Sequence, residues 1–175
     1  MRLLSSVSLA ALLLMPAAAA AQGGPVSDAA RMMAKDNAKF LLAAAEAMPA
    51  DKYAFKPTPA QMSFGQLIAH IAGDDHFTCS AIAGVKPAPR TRIAPTEGKE
   101  KLVAALKASF DECDAALAAL KDASLGDTVS WYGGNVTRAM AVFGLLTDWA
   151  DHYSQQAMYL RLNGILPPTA RKGGM

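Results

Sequence analysis

The chain has 175 residues, of which 52% are hydrophobic, and this length suits one domain with a substantial apolar core. Its 17 Lys and Arg residues nearly balance its 15 Asp and Glu residues, and the basic residues do not cluster on one predicted helix face. This charge pattern argues against a nucleic acid partner.

The N-terminal segment has the order of features that is typical of a secretory signal peptide. A positive start at Arg2 precedes an apolar run over residues 3–15, and small residues precede a cleavage position after Ala21. This run is shorter than the roughly 20 residues that span a bilayer, and no later segment is apolar enough to do so. We therefore expect a signal peptide at residues 1–21, a mature domain at residues 22–175, and a periplasmic or secreted protein that is free of the membrane after cleavage.

The first two predicted helices are separated by helix-breaking residues. The first runs over residues 27–48, and the second runs over residues 63–83. Ser63 and Gln66 have the spacing of a capping box at the start of the second helix, and Gly84 follows its end. Both helices therefore have defined ends in the sequence.

A proline-rich connector precedes the third predicted helix. Prolines over residues 85–98 prevent a long helix there, and a connector of this length can cross the end of a bundle. The third helix is predicted over residues 97–122. Apolar residues from Val103 to Leu120 recur at spacings of 3 and 4, which is the clearest amphipathic pattern in the chain.

The fourth helix is predicted over residues 137–163, with Thr137 as its N-terminal cap and Gly164 after its end. Trp131 and Tyr132 lie in the preceding segment, which we interpret as a plain loop, with a pocket cover as the alternative. Amphipathic helices of this length bury their apolar faces by packing together. The sequence therefore predicts an all-α four-helix bundle with long connections between helices.

Two cysteines, Cys79 and Cys113, have two interpretations. In an oxidising compartment they favour a disulfide, and the alternative is two small buried side chains. No CxxC spacing accompanies them, which argues against metal ligation.

Two histidine–aspartate pairs are the strongest candidates for chemistry. His70 precedes Asp74 by four residues on the second helix, and Asp148 precedes His152 by four on the fourth. This spacing places each imidazole and carboxylate on one helix face, at the edge of the apolar stripe, where bundles hold metal ions. Such ligands suit zinc, nickel or iron(II). The alternative is two weak surface pairs.

Other polar residues near these pairs have weaker interpretations. His76 falls on the opposite face of the second helix, so we expect it to be solvated and exclude it as a ligand. Gln155, Gln156 and Tyr159 lie near His152 and could orient ligands. The favoured alternative is surface polarity for the two glutamines and core packing for Tyr159.

Four stretches together resemble the DinB-like (DinB/YfiT) superfamily in its exported branch, over nearly the whole mature chain. No single stretch is specific, but the ordered set is. The four stretches occupy residues 48–73, 77–84, 106–117 and 151–168. The resemblance implies a four-helix bundle with a metal ion near one end.

The resemblance also implies a ligand set of one histidine on the second helix and two histidines four residues apart on the fourth. These positions match His70, Asp148 and His152, and Asp148 departs from the usual histidine. Either the carboxylate is a ligand in a two-His, one-carboxylate site, or the site has decayed. We favour retained binding, because aspartate is itself a good ligand.

Relatives with known activity imply a metal-dependent hydrolase or thiol S-transferase that acts on a small molecule. No separate general base is evident, and Asp74 or Asp151 would serve only weakly. The alternative is a non-catalytic periplasmic binding or structural bundle with a degenerate metal site. A homodimer through an apolar helix face stays open, because the pattern neither indicates nor excludes it.

Overall fold

The structure is a computed structural model that describes residues 23–171. The predicted signal peptide lies outside the described residues and stays a prediction. Over these residues the chain forms four long helices and one short hairpin. In chain order these are α1 (Pro25–Ala47), α2 (Phe64–Ala83), α3 (Lys99–Ala118), β1 (Thr128–Trp131), β2 (Gly134–Thr137) and α4 (Arg138–Leu162).

The ends of α2 and α4 follow the capping residues of the sequence. Ser63 Oγ accepts a hydrogen bond from Gln66 N at 3.1 Å, and Gln66 Oε1 accepts one from Ser63 N at 2.7 Å, which confirms the capping box. Thr137 Oγ1 caps α4 by accepting a single hydrogen bond from Met140 N at 3.3 Å. Gly84 and Gly164 both have a φ of 72°, which is the left-handed conformation that ends a helix and that glycine adopts without strain.

The four helices share one apolar core, which confirms the predicted bundle. Because α1 and α2 each pack against both α3 and α4, they occupy opposite corners of the bundle. Each fully buried Leu, Ile or Phe side chain contributes about 1.5–3 kcal/mol relative to exposure. Among the largest fully buried side chains are Leu41, Phe64, Leu67, Ile71, Leu106, Leu117, Trp149 and Leu160.

The connectors differ from the expectation in one respect. The segment 48–63 joins α1 to α2 and therefore crosses the bundle diagonally. The proline-rich connector joins α2 and α3, which are direct neighbours, so it does not need to cross the end of the bundle.

Helix α3 ends at Ala118 rather than near Asp122. Asp122 instead turns toward the start of α1, where its carboxylate accepts hydrogen bonds from Ser27 N at 2.7 Å and Val26 N at 3.1 Å. These backbone donors, Ser27 foremost, hold the pKa of Asp122 below its usual range. The cap of α1 therefore comes from a residue far away in the chain.

The segment around Trp131 and Tyr132 is a β-hairpin, so the prediction of a plain loop was wrong. Strand β1 pairs antiparallel with β2, and Trp131 lies opposite Gly134. The two turn residues, Tyr132 and Gly133, have φ values of 47° and 80°, as a two-residue hairpin turn of type I′ requires. Tyrosine is unusual at the first position of such a turn, so the sequence lacks the asparagine–glycine pattern that usually predicts a hairpin.

Cys79 and Cys113 form a disulfide that joins α2 to α3, which confirms the favoured interpretation. Their Cα atoms are 5.0 Å apart, and both side chains lie in the core. Among the described helices, none combines the length and apolarity needed to cross a membrane.

Candidate metal centre

His70 and His152 face each other between α2 and α4. Their ring centroids are 5.0 Å apart, and the rings are nearly perpendicular at 88°. His70 is partly accessible, with 33% of its side chain exposed, whereas His152 has only 6% exposed. The tertiary structure thus brings together the two histidines that the sequence singled out.

Each histidine also approaches the carboxylate of its own helix. His70 Nε2 lies 3.3 Å from Asp74 Oδ2, and His152 Nε2 lies 3.3 Å from Asp148 Oδ1. Neither approach has hydrogen-bond geometry, and neither ring nitrogen of buried His152 has a hydrogen-bond partner among residues 23–171. Buried polar atoms without partners are rare, and a ring nitrogen of this imidazole remains available to coordinate a metal ion.

Opposing effects act on the pKa of His152. Burial by itself lowers the pKa, because it disfavours the imidazolium. The adjacent Asp148 carboxylate and the charges of Asp151 and Asp74 outweigh burial, so the pKa lies above its ordinary value. The site therefore attracts positive charge.

Neither carboxylate considered as a general base is free. Asp74 contacts His70 and also accepts a hydrogen bond from Arg92 Nη2 at 3.1 Å. Asp151 is exposed and accepts a hydrogen bond from Gln155 Nε2 at 2.7 Å. The hydrogen-bond donors on both carboxylates would therefore compete with a substrate or a water molecule for the carboxylate oxygens.

Gln156 lies one turn beyond His152 and corrects an expectation. It is fully buried, and neither atom of its amide has a hydrogen-bond partner within the described part of the chain, so it is not a surface residue. Gln155, by contrast, is only half-buried. Tyr159 packs in the core as expected, and its hydroxyl donates to Met62 O at 2.8 Å. Helix α4 therefore carries a buried strip of two uncommitted polar side chains, His152 and Gln156.

His76 is buried rather than solvated, so that expectation was wrong. Its Nδ1 lies 3.1 Å from Glu112 Oε2, and its Nε2 donates to Ala88 O at 2.8 Å. The proline-rich connector folds over this face of α2 and covers the ring. The path of a connector is a tertiary property, which is why helix periodicity alone missed this burial.

Asp75 is a buried carboxylate that the sequence analysis did not single out. It is 2% exposed and lies on α2, the same helix as His70. Burial raises the pKa of Asp75 to about 7, although hydrogen bonds from Ser109 and Trp149 oppose this effect. Asp75 lies four residues after Ile71, on the apolar stripe of α2, and this spacing could have predicted its burial from the sequence.

An acidic cleft of about 470 Å³ opens at Asp74 and Asp148, the two carboxylates that approach the histidines. Its lining contains four aspartates and no lysine or arginine, and the hairpin forms one wall. The residues that define this acidic cleft are Asp74, Asp75, Asp148, Asp151, Trp131 and Tyr132. The cleft gives a small molecule or a cation access to Asp148.

The candidate ligands fit a metal ion in chemistry but are not converged. His70, Asp148 and His152 are the donor types of two-His, one-carboxylate sites, and the buried His152 ring is uncommitted. Within residues 23–171, however, no group of three or more His, Cys, Asp or Glu side chains is arranged to hold a metal ion. In the present arrangement, each histidine stands beside its own aspartate instead.

Comparison with known proteins identifies related folds. A family model described as the DinB superfamily matches residues 35–155. No curated protein matches the sequence at a significant level.

Three solved structures have a similar fold. A DinB-like protein from Bacillus subtilis has a TM-score of 0.63 at 20% identity, covering 78% of this chain and 92% of its own. A DinB-like protein from Bacillus cereus has a TM-score of 0.67 at 12% identity, covering 81% and 95%. A conserved protein from Enterococcus faecalis has a TM-score of 0.60 at 18% identity, covering 78% and 96%. Identities this low establish the fold alone.

Proposed function

This chain belongs to the DinB superfamily, and we propose that it binds one divalent transition-metal ion through His70, Asp148 and His152. Zinc, nickel and iron(II) suit this ligand set. The observation that carries the proposal is the buried imidazole of His152. It has no hydrogen-bond partner in residues 23–171, and its ring centroid lies 5.0 Å from that of His70.

The surrounding charges support cation binding at this point. Asp148, Asp151 and Asp74 together favour positive charge at His152. Asp148 also lines the acidic cleft, so a ligand could reach the ion from solvent. The carboxylate in place of a third imidazole keeps a good ligand type for zinc or iron(II).

The proposed activity is that of a metal-dependent hydrolase or thiol S-transferase acting on a small molecule. A bound ion would lower the pKa of a water molecule or a thiol and so make it a better nucleophile for such a reaction. The chain's own contribution would be to admit the substrate through the acidic cleft and to hold it against Trp131 and Tyr132. Because Asp74 and Asp151 already have partners, we assign neither as a general base.

A second candidate function is a non-catalytic binding or structural bundle. The observation that favours it is the separation of the ligands into two pairs, His70 with Asp74 and His152 with Asp148. A degenerate site in which each imidazole keeps its own carboxylate would have this arrangement. Metal analysis separates the two candidates.

We also propose that the protein is an exported member of the superfamily, located in the periplasm or secreted. The charge and apolar pattern of residues 1–21 supports this location. The disulfide between Cys79 and Cys113 supports it independently, because disulfides persist mainly in oxidising compartments.

Elemental analysis of protein that is purified from periplasm without a histidine tag tests the metal proposal. We expect close to one transition-metal ion per chain, and we expect its loss in His152→Ala. His76→Gln is the histidine control, because His76 lies in a separate cluster with Glu112. No bound metal after loading with zinc, nickel and iron(II), in protein that remains folded, would overturn the proposal in favour of the non-catalytic bundle.

A further inference from the structure

A second and larger cleft, of about 840 Å³, lies between the end of α2, the proline-rich connector and the hairpin. Its walls include the aromatic side chains of Phe77, Trp131 and Tyr132. Phe77 is 39% exposed and Tyr132 is 60% exposed, although both are large and apolar. A volume of this size is typical of small-molecule sites, and exposed aromatic walls favour an apolar or aromatic ligand body.

The charges of this cleft are opposite to those of the acidic cleft. Lys86, Arg92 and Arg138 line it, and no acidic residue does, so we name it the basic cleft. Arg138 is committed to the fold, because it donates to Ser124 O at 3.2 Å and contacts Asp127 Oδ2 at 3.3 Å. Two cations therefore remain for a ligand.

Lys86 and Arg92 are available at the rim of the basic cleft. Lys86 is exposed and has no hydrogen bond or ion pair to any described residue. Arg92 has 54% of its side chain exposed, and its guanidinium carbon lies 5.3 Å from the ring centroid of Phe77. Its hydrogen bond to Asp74 uses one of the five N–H donors of the guanidinium. An anion here would gain charge-assisted hydrogen bonds next to an aromatic surface.

We propose that the basic cleft is a binding site for a small organic anion with an aromatic or aliphatic body. The anionic group binds at Lys86 and Arg92, and the body packs against Phe77 and Trp131. Charge complementarity selects an anion over a neutral or cationic analogue, and the aromatic walls select an apolar body over inorganic anions.

This site is separate from the proposed metal centre. None of His70, Asp148 and His152 lines the basic cleft. The tip of the hairpin, with Trp131 and Tyr132, forms a wall of both clefts and stands between them. The two proposals can therefore fail independently.

Isothermal titration with 4-phenylbutyrate tests the proposal on the full mature protein after chelator treatment. The matched probes are 4-phenylbutan-1-ol, which is neutral, and 4-phenylbutylamine, which is cationic. We expect saturable binding of the carboxylate, at least about tenfold tighter than binding of the alcohol, because only the carboxylate forms charge-assisted hydrogen bonds with Lys86 and Arg92. Equal binding of the carboxylate and the alcohol, or no saturable binding, would overturn the proposal.

Substitutions locate the binding. Lys86→Ala and Phe77→Ala should each weaken 4-phenylbutyrate binding by about three- to tenfold, which corresponds to about 0.7–1.4 kcal/mol. Lys35→Ala is the control, since Lys35 is exposed on α1 and outside the cleft. If circular dichroism shows that Phe77→Ala is unfolded, the test of the site rests on Lys86→Ala alone. Unchanged binding in Lys86→Ala contradicts the site.

Two further measurements distinguish the basic cleft from the metal centre and from a surface that docks on a membrane. Asp148→Asn should leave 4-phenylbutyrate binding unchanged, which separates this result from the outcome of the metal experiment. Sedimentation with phosphatidylglycerol vesicles tests whether the same surface binds lipid. Vesicle binding that is lost in Lys86→Ala, with no saturable binding of 4-phenylbutyrate, would assign the surface to lipid and overturn the small-anion site.

Discussion

The indole Nε1 of Trp149 donates a hydrogen bond to Asp75 Oδ1 at 2.7 Å, and this contact ties α4 to α2 inside the core. The other oxygen of the carboxylate, Oδ2, lies 2.7 Å from Ser109 Oγ on α3. One buried carboxylate thus joins three helices. It also sits at the inner wall of the acidic cleft, so its charge bears on both stability and the site.

Asp75→Asn should make stability less dependent on pH. Burial raises the pKa of Asp75 from 3.8 to about 7. The carboxyl group therefore stays protonated to a higher pH in the folded state than in the unfolded state. The carboxyl group therefore costs stability progressively as pH rises from about 4 to about 7. Asparagine cannot ionise, and the advantage of the variant should grow over this window by up to about 4 kcal/mol.

Urea unfolding of both proteins between pH 4 and pH 8 measures this difference, after chelator treatment so that no metal charge acts on the site. The comparison is the difference between variant and parent at each pH, because other carboxylates also contribute to each profile. Asp114→Asn is a matched control, since Asp114 is exposed on α3. Parallel profiles for Asp75→Asn and its parent would contradict the buried, proton-holding carboxyl group.

Removal of the disulfide should lower the free energy of unfolding by about 2–4 kcal/mol, because the bond closes a loop in the unfolded chain. Cys79 and Cys113 are separated by 34 positions in sequence. The double variant Cys79→Ala/Cys113→Ala, measured by urea unfolding, tests this expectation. Reductant should lower the unfolding midpoint of the parent and leave that of the double variant unchanged. Equal parental midpoints with and without reductant would mean that the bond does not form.

Asp148→Asn should weaken zinc binding by at least about tenfold, since the amide removes the ligand's negative charge. Competition with a chromophoric chelator measures the change in affinity. Asp114→Asn carries the same chemical change at an exposed position on α3, outside the proposed ligand set, and should bind zinc as the parent does. An unchanged zinc affinity in Asp148→Asn would remove Asp148 from the proposed ligand set.

Gly144→Ala should displace the hairpin. A Cβ atom on Gly144 would lie 2.5 Å from Cη2 of Trp131, so the indole has to move. The gain of about 1 kcal/mol in helix propensity is opposed by an overpacking cost of about 1–3 kcal/mol. We expect a lower thermal midpoint and a shift in the fluorescence of Trp131, measured in a Trp149→Phe background.

Gly126→Ala is the control for this substitution. No atom lies within 4 Å of the Cβ position at Gly126, and its φ is not positive, so alanine meets no contact there. Identical fluorescence in Gly144→Ala and its parent would contradict the close packing of Trp131 against α4.

Local residue patterns were sufficient for most of the secondary structure. The capping box of Ser63 and Gln66, the cap at Thr137 and the left-handed glycines depend on neighbours within a few residues, and each was confirmed. The apolar stripe of α3 was also largely confirmed, although Val103 at its start is only half-buried. The hairpin was missed because a tyrosine occupies a turn position that usually favours glycine or asparagine.

The sequence by itself determined the four helices, their amphipathic faces and the pairing of each candidate histidine with an aspartate one turn away. These features follow from backbone geometry over three or four residues. It also narrowed the cysteines to a disulfide or two buried thiols.

Only the tertiary structure decided which polar residues are buried and what they contact. His76 is covered by a connector, and Gln156 lies in the core. Asp122, which follows the end of α3, caps the start of α1. Each outcome depends on where distant segments pack, which helix periodicity does not encode. The same packing placed His70 beside His152 and set the hairpin between two clefts of opposite charge.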